Sequence, residues 1–281
     1  MALVKMDDLL KKADIHKYGV GSFSVASLEM IMGTIQAAEE LNAPIILQIA
    51  EGRLKYSPLH LIGPVMIDAA KKAKVPVAVH LDHGLTIETI KQALDLGFTS
   101  IMFDGSKLPV EKNIKKTIEV MQLAKQYGAV TEAELGLVGG SEDDSEDLEI
   151  MATSIEEAKQ FYECTGVDAL AVAIGNAHGI YKSTPQLQFD RLKEIDKIVK
   201  APLVLHGGSG ITVADFRACI QYGIVKINVM TATLNKVVEG SRRLLEKNPK
   251  VDYFTYHQQT IQSAYESVTD HIKAFQSENQ A

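Results

Sequence analysis

Short apolar runs alternate with longer amphipathic ones along the whole chain, and this order constrains the fold more tightly than any other feature of the sequence. Strand-length runs occupy 20–25, 45–49, 77–82, 100–104, 130–135, 169–174, 203–206 and 225–229. Most are nearly continuous in Val, Ile, Leu and Ala, as expected of parallel strands covered on both faces. Pro44, Pro76 and Pro202 stand just before three of them, where a proline costs no ladder hydrogen bond. Helical periodicity fills the intervals, as at 30–41, 59–74, 87–96, 111–127, 155–164 and 213–222. Ser154 with Glu157 three residues on forms a helix-start signature, and Gly97, Gly128, Gly166 and Gly223 stop four helices just before the next strand. About eight such units without a break in composition predict an α/β fold: a (β/α)8 TIM barrel forming one domain over 1–281. An open doubly wound sheet is the alternative, and it normally uses fewer strands.

Composition narrows the function. The chain has 281 residues, 46% hydrophobic and 23% charged, with a net charge of −7. That balance is globular, and no Lys/Arg stripe suits nucleic acid. No apolar stretch approaches the ~18 residues that span a bilayer, and the opening MALVKMDDLLKKA reads as an amphipathic helix, not a signal peptide. Cys164 and Cys219, each in a helical pattern, fit a reducing compartment. The expected setting is cytoplasmic, with neither nucleic acid nor membrane as partner.

In a barrel of this kind chemistry gathers at the C-terminal ends of the strands. Three histidines stand there, each before a glycine: His83 in HLDHG, His178 in GNAHG and His206 in LHGGSG, after the third, sixth and seventh strands. Neutral imidazole is the commonest metal ligand, and three ligands with one open position make a catalytic zinc site. His16, His60, His257 and His271 have no such setting and read as structural, while His80 reads as support for the site or as packing. Asp82 ends the third strand, where it is either a cap or ion-pair partner or a general acid/base beside the metal. Asp104 holds the equivalent place on the fourth strand and can orient a ligand, hydrogen-bond substrate or join the metal-binding group. Glu132 and Glu134 alternate on the fifth strand and share a face, as metal-site acids or as partners of a lysine.

Loops after the seventh and eighth strands are the recurrent phosphate site of such barrels. Gly207, Gly208 and Ser209 in HGGSG, with Asn228 and Thr231 in KINVMT, suit a phosphate cradle, against the alternative of a tight turn that needs glycine. Segment 141–149, SEDDSEDLE, is acidic along most of its length and is expected to be an exposed loop able to close over the site.

Taken in order, HLDHG, the DGS after the fourth strand, EAELG with GGSED, AVAIGNAHGIYKSTP, LVLHGGSG and KINVMT resemble the class II (zinc-dependent) ketose-bisphosphate aldolases, the family of fructose- and tagatose-bisphosphate aldolases. The resemblance runs over nearly the whole chain. It implies reversible cleavage of a ketose 1-phosphate or 1,6-bisphosphate to dihydroxyacetone phosphate and an aldehyde, by a homodimer or homotetramer. It implies Zn2+ on His83, His178 and His206, with Glu134 as alternative or supporting ligand. Asp82 would exchange the proton at the C4 oxygen, and Glu142, in the GGxE loop, the proton at C3. Gly179, Lys182, Gly207, Ser209, Asn228 and Thr231 would hold the C1 phosphate, with Gly179 and Gly207 also binding a monovalent cation, Na+ or K+. Two departures bear on the substrate. Met230 stands where the fructose-bisphosphate branch carries an aspartate, and YHQQTIQSAYESV lacks the late arginine that holds the far phosphate; Arg53 is an alternative. A related substrate such as a 6-phospho-5-dehydro-2-deoxygluconate or a longer ketose 1-phosphate is therefore a second expectation. A metal-dependent isomerase or epimerase is a rival that would release no triose, and a barrel that binds sugar phosphate without catalysis is a rival that would lack turnover.

Overall fold

The apolar runs become eight parallel strands because each can bury one face against the barrel interior and the other against helices. In the computed structural model, which describes residues 2–139, 151–179 and 185–281, the strands are β1 (Val20–Ser24), β2 (Ile45–Ala50), β3 (Val77–Gly84), β4 (Ser100–Phe103), β5 (Val130–Leu135), β6 (Ala169–Val172), β7 (Leu203–Leu205) and β8 (Ile224–Val229). Each pairs with the next, and β1 closes on β8 through registers such as Gly21↔Ile227. The helices are α1 (Met6–His16), α2 (Leu28–Glu40), α3 (Leu59–Lys72), α4 (Ile87–Asp95), α5 (Val110–Gln126), α6 (Ile155–Thr165), α7 (Phe189–Ile198), α8 (Val213–Gln221), α9 (Thr231–Lys247) and α10 (Tyr253–Ala274). The barrel and its connecting helices stand as expected. Among the described residues no helix is long and apolar enough to cross a membrane.

Alternation along the strands sorts the side chains into two cores. Val77, Val79 and Leu81 of β3 face the helices in the large outer core, while Ala78, His80 and Asp82 take the alternate positions. At the N-terminal end of the barrel the interior is apolar: Val20, Ile46, Ala78, Val130, Ala169 and Val204 pack with Met6, Leu9, Leu10 and Ala13 of α1. Helix α1 thus plugs the bottom, starting at Met6 and not at the first residue, because Val4 N–H donates to Val77 O and extends the chain beside β3. Two residues further along several strands the interior positions turn polar, with Ser22, Gln48, His80, Ser100, Glu132 and Lys226 all buried. One closed end and a polar middle leave the C-terminal mouth as the place for chemistry.

The local signals act as read. Ser154 caps α6 by accepting from Glu157 N–H at 3.3 Å, and Gly97, Gly128, Gly166 and Gly223 all take positive φ at helix ends. Helix α10 closes the structure against α2, where Gly33 lets the two backbones meet: an added Cβ would lie 2.5 Å from Ile261 O. Cys164 is exposed and Cys219 buried, so the two thiols remain apart.

Candidate active site

Strand β3 delivers its acid and its first histidine by breaking its own regularity. Pairing with β4 shifts register between Leu81 and Gly84, and His83 sits in the left-handed region at φ +43°. A bulge of this kind re-aims a side chain. Here Asp82 continues to point along the barrel interior while the His83 ring turns to the mouth. His83 Nδ1 lies 2.9 Å from Asp104 Oδ2, and the other oxygen of Asp104 accepts from Ser106 N–H at 3.1 Å and Ser106 Oγ–H at 2.6 Å. Burial alone would raise the Asp104 carboxyl, but the hydrogen bond and charge of His83, with Ser106 behind, hold it well below the usual carboxylate range. Asp104 therefore stands on the outward nitrogen of His83, and Nε2 faces inward.

The other two histidines arrive from β6 and β7. Asn176 ties these ends together: its Oδ1 accepts from Ile174 N–H at 2.7 Å and its Nδ2 donates to His206 O at 3.0 Å. His178 N–H donates to Gly139 O at 2.6 Å. The ring centroids of His83 and His178 are 5.2 Å apart, those of His83 and His206 4.7 Å. His206 Nε2 contacts Glu132 Oε1 at 2.9 Å, so its Nδ1 faces His83 Nε2 at 3.0 Å. With both outward nitrogens held by carboxylates, two neutral rings would aim the lone pairs of their inward nitrogens at one region. That is unfavourable for two bare acceptors and suits two ligands of one cation. Two nitrogens on a tetrahedral zinc with bonds of about 2.0–2.1 Å would be separated by about 3.3 Å, close to the distance seen. One donor atom from each of the three histidines lies within 4.8 Å of the others. Glu134 Oε2 is 3.4 Å from His206 Nδ1, within reach of the same region. The donor set fits zinc.

Burial also favours the neutral form of His178 and His206, as ligation requires. It pushes His178 down to about 3, aided by His83, and drives His206 and His80 well below the ordinary value of 6.5, with His83 and Lys226 respectively adding to the effect. Buried His271 is lowered for the same first reason. A base whose folded pKa is depressed leaves the unfolded chain holding more protons below its ordinary pKa. Stability is thus complete above that value and lost as the pH falls. Each such imidazole adds about 1.4 kcal/mol per pH unit to the slope. The denaturant midpoint of the metal-free protein should hold steady above about pH 7.5 and drop steeply by about pH 5.5. An unchanged midpoint across that range would contradict the neutral assignment.

Asp82 is buried beneath the histidines and held by two amides: Asn228 Nδ2 donates to its Oδ1 and Gln48 Nε2 to its Oδ2, both at 3.0 Å. Glu132 and Glu134 share a strand face but separate in partner. Glu134 approaches the histidines, whereas Glu132 pairs with Lys226 Nζ at 2.9 Å as well as with His206. Sequence reasoning missed Gln48, Asn176 and Lys226. Two of them carried a signal, since Gln48 is the one polar residue of IILQIA and Lys226 is the one charged residue of IVKINV.

The glycine-rich turn after β7 lies beside the opening of α9. Gly207 has φ +65°, and a Cβ there would collide with the Ala177 carbonyl oxygen, so the turn seats the His206 and His178 loops against each other. Gly208 N–H donates to Asn228 O at 3.1 Å. Ser209 Oγ accepts from Ala232 N–H at 2.9 Å in the first turn of α9, where Thr231 is the first residue. A helix N-terminus flanked by a glycine turn and a hydroxyl suits an anion. The Asn228 side chain is engaged by Asp82 and Lys226. Gly179, at φ +80°, ends its described segment. Glu142, Lys182 and the acidic segment 141–149 lie outside the described residues.

Known proteins share this architecture and part of this sequence. Residues 4–280 match the family model described as fructose-bisphosphate aldolase class II. The chain is 40% identical to a sulfofructosephosphate aldolase of Alkalicoccus urumqiensis, covering 100% of this chain and 99% of that protein. It is 39% identical to a probable fructose-bisphosphate aldolase of Bacillus subtilis strain 168, covering 100% of both. The X-ray structure of the YdjI aldolase from Escherichia coli K12 superposes with a TM-score of 0.89 at 34% identity, covering 98% of each chain. A barrel whose mouth gathers three imidazoles, a doubly held aspartate and an anion-ready turn, matched over its length to these proteins, belongs to the class II fructose-bisphosphate aldolase family and is a carbon–carbon lyase.

Proposed function

We propose that this aldolase reversibly cleaves a ketose 1-phosphate or 1,6-bisphosphate into dihydroxyacetone phosphate and an aldehyde. The observation that carries this reading is the convergence of His83, His178 and His206 directly above Asp82 and beside the Gly207–Ser209 turn. We assign His83, His178 and His206 as zinc ligands, Glu134 as the carboxylate in reach of the same position, and Asp104 as the group that orients His83. Zinc held there supplies Lewis-acid stabilisation of the negative charge that develops when the carbon–carbon bond breaks, an effect worth several kcal/mol.

In the cleavage direction Asp82 accepts the proton of the C4 hydroxyl as the C3–C4 bond breaks and the C4 carbonyl forms. The electron pair released passes toward the C2 oxygen, giving an enediolate, and Glu142 returns a proton to C3. Gln48 and Asn228 fix Asp82 for this transfer. Gly207, Gly208 and Ser209 hold the C1 phosphate at the opening of α9, with Thr231, Gly179 and Lys182 completing the cradle and the Gly179–Gly207 region taking Na+ or K+. The single barrel works in the cytoplasm as a homodimer or homotetramer.

The aldehyde half is the open chemical variable. One relative is named for a phosphorylated sulfo-sugar and the other for a bisphosphate, so the far end of the substrate carries a sulfonate, a phosphate or no charge. The test is an aldehyde screen in the condensation direction with dihydroxyacetone phosphate fixed, comparing glyceraldehyde 3-phosphate, a sulfonated three-carbon aldehyde and neutral aldehydes. We expect condensation with at least one, and with none the reading fails. Because α10 lacks an arginine in 256–268, fructose 1,6-bisphosphate should be cleaved poorly. Efficient, saturable cleavage of it would remove that argument.

A further inference from the structure

We propose that Lys226 is a positioning residue: its buried side chain, held between Glu132 and Asn228, fixes which nitrogen of His206 faces the mouth and which end of the Asn228 amide faces Asp82. The aldolase reading supplies the roles of His206 and Asp82, and this proposal rests on it.

Lys226 projects from β8 into the barrel interior and is fully buried. Its Nζ lies 2.7 Å from Asn228 Oδ1 and 2.9 Å from Glu132 Oε2. A lysine ammonium donates and cannot accept. The amide atom that meets it must therefore be oxygen, and the amide nitrogen is thereby turned to Asp82 Oδ1 at 3.0 Å. The same logic runs through the other partner. A carboxylate paired with a cation only accepts, so Glu132 Oε1, 2.9 Å from His206 Nε2, takes that nitrogen's hydrogen. His206 Nδ1 is left as the lone pair 3.0 Å from His83 Nε2. Behind Asp82 the polarity is continued by Gln48, whose Nε2 donates to Asp82 and to Ser24 Oγ, while the Ser22 hydroxyl donates to its carbonyl oxygen. One donor-only group thus sets the sense of hydrogen bonding on both sides of the site. A buried ion pair adds little net stability over apolar residues of similar size, so fold stability alone gives no strong reason for a lysine here.

The test uses two variants of the full-length protein: Lys226→Met, and Glu132→Gln/Lys226→Met, which removes both charges and avoids leaving Glu132 buried without its cation. Three readouts separate positioning from mere support. Ring-nitrogen NMR of the metal-free protein should show His206 as one tautomer, protonated at Nε2, in the wild type and as a mixture in both variants. Zinc affinity by chelator competition should fall about 10–100-fold in both variants, the usual cost of losing an outer partner of a ligand. The kcat for triose release should fall at least about 10-fold, with KM for the sugar phosphate changed less than about 3-fold. A double variant that is as stable as the wild type and keeps its tautomer, zinc affinity and kcat would overturn the proposal. If the wild type itself releases no triose phosphate, the aldolase reading fails by that result, while tautomer and zinc affinity still decide whether Lys226 orients His206.

Discussion

Replacing Asp82 by alanine is expected to lower kcat by about 10²–10⁴-fold, the usual contribution of a positioned acid/base, while zinc stays bound. The two halves of this expectation come from different parts of the geometry. Asp82 receives hydrogen bonds from Gln48 and Asn228, and its removal leaves the metal-facing nitrogens of His83 and His206 untouched. What disappears is the group proposed to take the C4 hydroxyl proton. Two buried amide N–H groups also lose their acceptor, at a cost of about 1–3 kcal/mol each, so the alanine protein should melt earlier. Asp82→Asn keeps the volume and removes the charge; it should show the same loss of kcat with less loss of stability. Zinc content by atomic absorption and steady-state cleavage rates check this together. Near-normal turnover in a variant that retains its zinc would remove Asp82 from the proton-transfer role.

Barrel topology was open to reading from sequence because its signals are local and repeated. Apolar runs of strand length, prolines at strand entrances and glycines at helix ends each act within a few residues, and eight repetitions leave little choice of fold. Helix α10 escaped because it packs mainly against α2 and α9, so no βα repeat announces it. The histidines were legible for a similar reason: position at a strand end predicts position at the mouth. Their orientations were not. The bulge that turns His83 outward depends on how β3 meets β4, and the outward partners of His83 and His206 come from β4 and β5.

The buried polar layer shows the limit more sharply. Gln48, Glu132 and Lys226 lie far apart in sequence, and nothing in the three strands taken singly says that they meet. Barrel closure brings them to one level, where every hydrogen bond depends on the next. Glu132 and Glu134 illustrate the point: their shared face was predictable, but only the closed barrel puts Lys226 beside Glu132 and His206 within reach of both. Asn228 carries the same lesson, since its motif suggests phosphate while its side chain joins Lys226 to Asp82.

Removing the metal should have the largest effect of all. Chelation is expected to abolish cleavage, and zinc or cobalt should restore it; full activity in metal-free protein would overturn the mechanism. His206→Ala makes the same case through one residue. It deletes an inward nitrogen at the most enclosed of the three positions, where Glu132 already has Lys226 as a second partner, so the carboxylate is not left unpaired and the barrel should still fold. Affinity for zinc should fall by more than the about 100-fold that the loss of even an outer partner can cost. A second readout needs no substrate. Zinc at about a thousand times its dissociation constant stabilises the protein that binds it by about 4 kcal/mol, and a site about 100-fold weaker gains about 1.4 kcal/mol, so zinc should raise the melting temperature of His206→Ala by no more than about a third of the rise in the wild type. An equal rise in both would mean that the ion sits elsewhere, and the assignment of the three imidazoles as its ligands would fall with it.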